Sequence, residues 1–153
     1  TDLVLARPRR RPVAVSSPRP PQRGFPDAMA VLFGVLAVSN ASKSLQWLRN
    51  PALGGIVLLG QRVEGFVPNV VFGGLMAILL GTYAWALWRR SRIAVPLGIA
   101  YAFWVPLNLA LFWYFKTGPE LPPLAVMATY FVVAIGGSVG AALWVAWHHA
   151  DFD

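Results

Sequence analysis

The chain has no cysteine among its 153 residues, and that absence excludes several kinds of site. Without thiols there can be no disulfide, no thiolate metal site, no iron–sulfur cluster and no cysteine nucleophile. Charge is scarce as well, because Asp, Glu, Lys and Arg make up 12% of the residues, against roughly 25% in a soluble domain. With 57% hydrophobic residues and seven tryptophans, the composition is typical of a membrane protein.

Acidic residues are missing from the four longest apolar stretches. These stretches lie at about 28–48, 67–88, 93–115 and 124–147. Each has the roughly 20 residues that a helix needs to cross a bilayer core. We therefore predict an all-α integral membrane protein, a four-transmembrane-helix bundle over residues 27–148. Ion-coupled transport usually needs an ionisable group inside the membrane, and the lack of carboxylates there argues against it.

Residues 1–26 form a basic segment with a single acid, Asp2. Its prolines prevent a regular helix, so we predict a disordered-type Arg/Pro-rich arm in the cytoplasm. The arginines of this arm are Arg7, Arg9, Arg10, Arg11, Arg19 and Arg23. They suit either anionic lipid headgroups or a bridging contact with other integral membrane subunits. No nucleic-acid partner is predicted, because the segment lacks the interleaved aromatic residues that such binding favours.

The distribution of basic residues predicts the topology. With the N-terminus in the cytoplasm, that side holds the six arm arginines with Arg89, Arg90 and Arg92, and the other side holds Lys43, Arg49, Arg62 and Lys116. The positive-inside rule then favours a cytoplasmic N-terminus and C-terminus in a bacterial inner membrane. Residues 149–153 become a short cytoplasmic tail. We expect no cleavable signal peptide, so that the first span acts as an uncleaved membrane signal.

The second half of the first span is unusually polar. Lys43 lies about 22 Å along the helix axis from its start, where a lysine can snorkel to the interface or contribute to a polar pocket. Residues 49–66 contain an apolar run too short to span, and we predict an interfacial helix or a short re-entrant segment there. Pro106 should kink the third span. The pocket candidates are Asn40, Lys43, Arg62, Glu64 and Asn108.

Small residues repeat at four-residue spacing in three spans. The positions are Gly34, Gly73, Ala77, Gly81, Gly136 and Gly140. Faces of this kind let helix backbones approach closely. They pack either the spans on one another or the chain on another subunit, and the spacing does not distinguish the two.

The sequence requires no cofactor, although several aromatic residues suit a flat apolar ligand such as a lipid, quinone, carotenoid or chlorin. Trp104 and Trp113 are weak candidates for such contacts, and we interpret the aromatic residues mainly as an aromatic belt at the membrane interface. His148 and His149 are the only histidines. They are weak candidates for ligating a chlorin or haem, since they lie beyond the last span, and no metal site is predicted.

These patterns are compatible with three hypotheses for function. The first is a non-catalytic accessory subunit of a larger membrane complex of electron-transport or photosynthetic type. The alternative is a small independent transporter or lipid- or quinone-handling protein with a polar pocket around Lys43. The third, an enzyme that uses Lys43, Arg49, Arg62 and Glu64, has one carboxylate for acid–base chemistry, so no enzymatic activity is predicted.

Overall fold

The computed structural model describes residues 24–51, 54–115 and 124–152. In these ranges the chain forms five α-helices, a pair of two-residue strands and a closing 3-10 turn. The elements are α1 (Phe25–Ala41), α2 (Lys43–Arg49), β1 (Val57–Leu58), β2 (Gln61–Arg62), α3 (Phe66–Arg89), α4 (Ala94–Phe115), α5 (Leu124–Trp147) and the 3-10 turn (His149–Asp151). The predicted all-α class is confirmed, and the short β-hairpin is an addition that the sequence analysis missed.

The long helices are compatible with a membrane location. By length and composition, α3 and α4 can each cross a bilayer, and α1 with α2 makes a third candidate span if the bent pair counts as one. Within α5, the stretch Phe131–Trp147 is apolar but shorter than a full membrane span. The predicted arm lies outside the described residues except at its end, where α1 begins at Phe25 with Pro26 in the first turn, a position where proline is tolerated.

The first predicted span is bent. α1 and α2 meet at an angle of 49°, with the break at Ser42. There the Ser42 hydroxyl donates to the carbonyl of Ser39 at 2.8 Å, and the Asn40 amide donates to the carbonyl of Leu36 at 2.8 Å. Side-chain bonds of this type compete with the regular helix ladder. The polar run that the sequence analysis noted is therefore the site of a bend, which was not predicted.

The core lies where two helical pairs meet. α1 packs mainly on α3, and α4 packs mainly on α5. The ring of Phe33 in α1 joins the pairs, with its centroid 4.5 Å from that of Tyr83 and 5.5 Å from that of Tyr101. The other buried members of this cluster are Ala30, Leu80, Ala86, Leu87, Ala94, Ala141, Val145 and Phe152.

The chain folds back on this core at its C-terminal end. Phe152 is 2% exposed, and its carbonyl accepts a hydrogen bond from Nε of Arg92 at 3.2 Å. Arg92 lies in the short connection between α3 and α4, which begins with Arg90 in the left-handed conformation, φ 53°. Within the segment 149–153 that we predicted as a short cytoplasmic tail, Phe152 therefore packs on the bundle, because burial of its apolar ring is favourable.

Candidate functional site

The β-hairpin between α2 and α3 returns to the bundle and packs on α4. Val57 pairs with Arg62 and Leu58 with Gln61. The two turn residues, Leu59 and Gly60, both have positive φ, 48° and 77°, as the primed turns of tight hairpins require. A Cβ atom on Gly60 would collide with the backbone of α4 at residues 111–112. Glycine at position 60 is thus required both by the turn and by the close approach to α4.

A buried asparagine at the start of α3 holds the backbone that flanks the hairpin, both before and after its two strands. Asn69 is 1% exposed. Its Oδ1 accepts from the backbone N–H of Ile56 at 2.7 Å, and its Nδ2 donates to the carbonyls of Val63 and Gly65, each at 2.8 Å. One side chain therefore satisfies three backbone groups of a segment that has little regular structure of its own.

A second asparagine fixes the hairpin from α4. Oδ1 of Asn108 accepts from the N–H of Gly60 at 3.1 Å, and its Nδ2 donates to the carbonyl of Val57 at 3.2 Å. Asn108 comes just after Pro106, around which α4 continues as one helix. The position of the predicted kink thus lies close to an amide that binds the hairpin backbone.

The hairpin, α1, α2, α3 and α4 line a partly open cavity of about 470 Å³. Pockets that hold small ligands usually measure about 300–1,000 Å³, so this volume suits a molecule of that class. The cavity is lined by Leu36, Ser39, Asn40, Lys43, Gly55, Ile56, Val57, Arg62, Met76, Leu80, Tyr101, Trp104, Val105, Asn108, Leu109 and Phe112. We call this space the hairpin cavity.

One end of the hairpin cavity is basic. Nζ of Lys43 donates to Oε1 of Gln46 at 3.1 Å, and Nη1 of Arg62 donates to the carbonyl of Gly54 at 3.4 Å. Both of these acceptors are neutral. The described lining includes these two cations and no acidic side chain.

The other end is apolar and aromatic. The α4 side chains that line the cavity run from Tyr101 to Phe112, about 16 Å of helix at 1.5 Å per residue. Leu36 and Leu80 line the cavity and belong with Tyr101 to the core cluster around Phe33. The polar side chains of the hairpin cavity therefore lie toward the hairpin, together with apolar Ile56, Val57 and Phe112, and the Tyr101 end is apolar and aromatic.

Four of the five predicted pocket residues come together in this cavity. They are Asn40, Lys43, Arg62 and Asn108. Glu64 is exposed and is not among the lining residues. Gly73 supports the same region, because a Cβ there would lie 2.6 Å from the carbonyl oxygen of Asn40.

The predicted aromatic and imidazole candidates occupy separate places. Trp104 lines the hairpin cavity, whereas the Trp113 ring lies 5.6 Å from that of Phe131. The ring of His148 stacks on Trp144 at 4.3 Å, and His149 is exposed. No group of three His, Asp or Glu side chains that could hold a metal occurs in the part of the chain that the structure describes.

The predicted packing residues divide into two sets. Gly73 contacts the end of α1, and a Cβ on Gly81 would lie 4.0 Å from Cβ of Ala37. Ala77 is half-buried on the same helix. A Cβ on Gly34, Gly136 or Gly140 would meet no described atom within 4 Å. The six arm arginines lie outside the described residues.

Two site-forming residues were missed by the sequence analysis. Asn69 is a lone amide in the apolar run that begins α3, and an isolated polar residue of that kind is a usable signal. Gly60 is preceded by an apolar run rather than by the Asn or Asp that favours a primed turn. Its role in a hairpin turn could therefore hardly be recognised from the sequence.

No protein-family model, curated protein or solved structure matches this chain. Its function must therefore be inferred from the hairpin cavity and from the helix surfaces.

Proposed function

We propose that this protein is a four-span membrane protein that binds an amphiphilic ligand, a lipid or a quinone, in the hairpin cavity. The observation that carries the proposal is the cavity itself, which is lined by separate segments and combines a few polar groups with a largely apolar and aromatic wall. Binding sites for small molecules are typically concave, largely apolar and equipped with a few convergent polar groups. The hairpin cavity has that combination.

The construction of the cavity supports binding more than simple packing. A short hairpin inserted into a bundle exposes backbone groups that need partners away from water. Asn69 and Asn108 supply those partners, and the hairpin holds Arg62 at the cavity wall. A segment that only joined α2 to α3 would not need two side-chain amides to hold its backbone in place. The amides give the cavity a fixed wall, and a fixed wall lowers the entropic cost of binding.

In this proposal α5 is the fourth span, and the positive-inside rule places both termini in the cytoplasm of a bacterium. The hairpin cavity then opens to the opposite half of the bilayer, near the interface that Lys43 and Arg49 mark. The proposed role is binding or handover of the ligand without chemical change.

The test places a tryptophan in the wall of the cavity and, as a control, makes the same substitution on an exposed surface of the same helix. Leu36 lines the cavity, whereas its neighbour Val35 is 61% exposed. The full chain and the variants Leu36→Trp and Val35→Trp are purified in mild detergent, and bound lipids and quinones are identified by native mass spectrometry. We expect a co-purified amphiphile in the wild type and in Val35→Trp. In Leu36→Trp its occupancy should fall about tenfold, equivalent to about 1.4 kcal/mol.

Val105→Trp on α4 is a second cavity-filling variant, used in case Leu36→Trp does not fold. Thermal unfolding checks that each protein is folded. Equal ligand occupancy in the wild type and in both filling variants contradicts the proposal. A wild type that carries no amphiphile, even after incubation with lipid and quinone, contradicts it as well.

The second candidate is the accessory subunit of a membrane complex. It is favoured by the surface of α5, where a groove of about 360 Å³ is lined by Gly136, Gly137, Gly140, Trp144 and residues of α1. Such a surface is suited to a helix of another subunit. Gentle purification from native membranes followed by mass spectrometry tests this candidate. Stoichiometric partner chains that are lost in Gly140→Leu support it, and a chain that purifies alone contradicts it.

A further inference from the structure

We infer that the end of the bundle that contains the α3–α4 connection binds an anionic phospholipid, whose headgroup phosphate is held by Arg89 and Arg92. Neither residue lines the hairpin cavity, so this lipid is distinct from the ligand proposed for that cavity. Two exposed guanidinium groups, a C-terminal segment that fixes one of them, and exposed tryptophans at the same end of the molecule point to this partner.

The two arginines belong to one short connection. Arg89 is the last residue of α3, and Arg92 lies shortly before α4 begins at Ala94. Both are exposed, and neither makes an ion pair within the part of the chain that the structure describes, which includes Asp27 in the first turn of α1. The connection thus presents two positive charges to its surroundings, and an anionic membrane surface attracts charges of this kind.

The C-terminal segment holds Arg92 in place. Nε of Arg92 donates to the carbonyl of Phe152 at 3.2 Å, and the buried ring of Phe152 anchors that carbonyl to the bundle. A guanidinium also carries N–H donors on both Nη atoms, and the bond at Nε orients them without neutralising the charge. A side chain that is already ordered loses less entropy on binding. Arg92 is therefore suited to donate charge-assisted hydrogen bonds to a phosphate oxygen.

The backbone between the two arginines is fixed as well. The N–H of Ser91 donates to the carbonyl of Ala86 at 2.9 Å, and the carbonyl of Ser91 accepts from the N–H of Ala94 at 2.9 Å. Ser91 thus joins the last turn of α3 to the first turn of α4. Arg89 and Arg92 lie on either side of it, so both side chains start from a defined turn, and rigid elements make precise binding sites.

Exposed tryptophans mark the depth of this end in a bilayer. Trp85 and Trp88 lie in the last turns of α3, and Trp147 ends α5; they are 57%, 64% and 78% exposed. The C-terminal segment that binds Arg92 follows α5 directly, so the ends of α3 and α5 lie at the same end of the bundle. Tryptophans of membrane helices collect at the level of the lipid headgroups. Arg89, which directly follows Trp88, therefore lies near the level of the phosphates.

An anionic phospholipid fits the charged and the apolar residues together. Its phosphate accepts hydrogen bonds from the two guanidinium groups, and its acyl chains lie along the surface of α3 and α4, where Ile78 and Ile93 are exposed. A free phosphate would use the charges alone. In a zwitterionic phospholipid, the ammonium of the headgroup offsets the charge of the phosphate. The surface therefore favours a lipid of net negative charge.

The test locates the lipid on the chain. The full chain is reconstituted into phosphatidylcholine vesicles that contain a trace of photoactivatable phosphatidylglycerol or, in a parallel sample, of photoactivatable phosphatidylcholine. After illumination, peptide mass spectrometry locates and quantifies the cross-links. The variants are Arg89→Gln and Arg92→Gln, with Arg49→Gln as the control. Arg49 is exposed at the end of α2, so its substitution removes the same charge from the hairpin end.

In the wild type and in Arg49→Gln, we expect phosphatidylglycerol to cross-link to residues 85–93 at least about tenfold more than phosphatidylcholine does. Each basic residue near an anionic lipid surface strengthens the attraction roughly fivefold. Arg89→Gln and Arg92→Gln should therefore each lower the phosphatidylglycerol yield about fivefold. The phosphatidylcholine yield should stay unchanged, which also demonstrates that the variants are folded and inserted.

Phe152→Ala tests whether the C-terminal segment positions Arg92. Loss of the buried ring should release the carbonyl that binds Nε, and the phosphatidylglycerol yield at residues 85–93 should fall toward that of Arg92→Gln. A merely structural role of Phe152 would lower the yields of both lipids alike. A phosphatidylglycerol yield equal to that of the wild type would overturn the positioning role.

Equal cross-linking of the two lipids at residues 85–93 overturns the anionic class. A phosphatidylglycerol yield that both arginine variants leave unchanged overturns the assignment of the headgroup to Arg89 and Arg92. Cross-links confined to residues 1–23 would assign the lipid to the basic arm instead. Inorganic phosphate in excess should not compete, and full competition would mean that the site recognises a free anion rather than a lipid.

Discussion

The two ends of the bundle are held together in different ways. At the end that contains the α3–α4 connection, apolar packing dominates, with Leu87, Val145 and Phe152 each at most 2% exposed. At the hairpin end, side-chain amides and glycines hold irregular backbone, and the hairpin cavity lies beside them. Apolar side chains fill the core of the first end, whereas at the hairpin end the amide bonds to a loop leave space beside it. Stability and ligand binding should therefore respond separately to changes at the two ends.

The largest effect is expected from Gly60→Ala at the hairpin end. Alanine would have to adopt φ near 77° and would meet the backbone of α4. A strained left-handed residue costs of order 1–3 kcal/mol, and overpacking costs a further 1–3 kcal/mol. We expect a total loss of about 4 kcal/mol, seen as a lower melting temperature in detergent, with faster hydrogen exchange at the N–H that binds Asn108.

Gly34→Ala is the matched control, because a Cβ at Gly34 meets nothing within 4 Å and alanine favours helix by about 1 kcal/mol over glycine. Its melting temperature should stay equal or rise. If Gly60→Ala is as stable as Gly34→Ala, then the hairpin does not pack closely on α4.

At the opposite end, Phe152→Ala should lower the free energy of unfolding by about 3 kcal/mol, the usual cost of removing a buried phenylalanine. The bond from Arg92 to the carbonyl of residue 152 would be loosened with it. Binding of amphiphiles in the hairpin cavity should stay unchanged, because Phe152 is not part of the lining. A parallel loss of stability and affinity in this variant would contradict the separation of the two ends.

The helices were the most predictable part of the fold. Stretches of about 20 apolar residues have little alternative to a helix in a membrane, and α3, α4 and α5 coincide closely with the apolar stretches at 67–88, 93–115 and 124–147. The burial of Phe152 was not predictable in the same way. A single aromatic residue between two acids has no periodicity, and its partner Arg92 lies 60 residues earlier.

The hairpin end was only partly readable from the sequence. The polar half of the first span marked Asn40 and Lys43 as candidates, and an isolated amide close to Pro106 marked Asn108. The structure brings these three residues to one cavity. The contact between Asn108 and Gly60 spans 48 positions, however, and no local pattern encodes it. The turn could not be predicted from its residues, because Leu59 adopts a positive φ that its residue type disfavours.

The two asparagines should anchor the hairpin end unequally. Asn69→Ala would leave three backbone groups without their amide partner, and each buried unsatisfied group costs about 1–3 kcal/mol. We expect a loss of about 3 kcal/mol. Asn108→Ala removes two longer bonds from a half-buried site and should cost about 1 kcal/mol by the same reasoning.

Thermal unfolding ranks the two asparagine variants, and hydrogen exchange of residues 56–65 reports where each one loosens the connection. Asn108→Ala should also change ligand binding, since its side chain lines the cavity and Asn69 does not. The reverse ranking of stability would mean that α4, and not the start of α3, is the main anchor of the hairpin.

The smallest effect is expected from Tyr83→Phe, in the core between the two ends. Tyr83 is 1% exposed, and its hydroxyl has no hydrogen-bond partner among the residues that the structure describes. Phenylalanine keeps the ring contact with Phe33 and removes a desolvated polar group, so stability should stay equal or rise by up to about 1 kcal/mol.

Gly98 provides an internal check on that expectation, because a Cβ there would lie 2.7 Å from the Tyr83 hydroxyl. Gly98→Ala should therefore cost about 1 kcal/mol or more in the wild type and less in the Tyr83→Phe background. Residues in contact show this kind of coupling, whereas distant ones add. If the changes in melting temperature of Gly98→Ala and Tyr83→Phe simply add in the double variant, then the Tyr83 hydroxyl does not lie against Gly98. A clear loss of stability in Tyr83→Phe alone would mean that the hydroxyl has a partner in the native membrane, which would extend the polar contacts of the hairpin end into the apolar core.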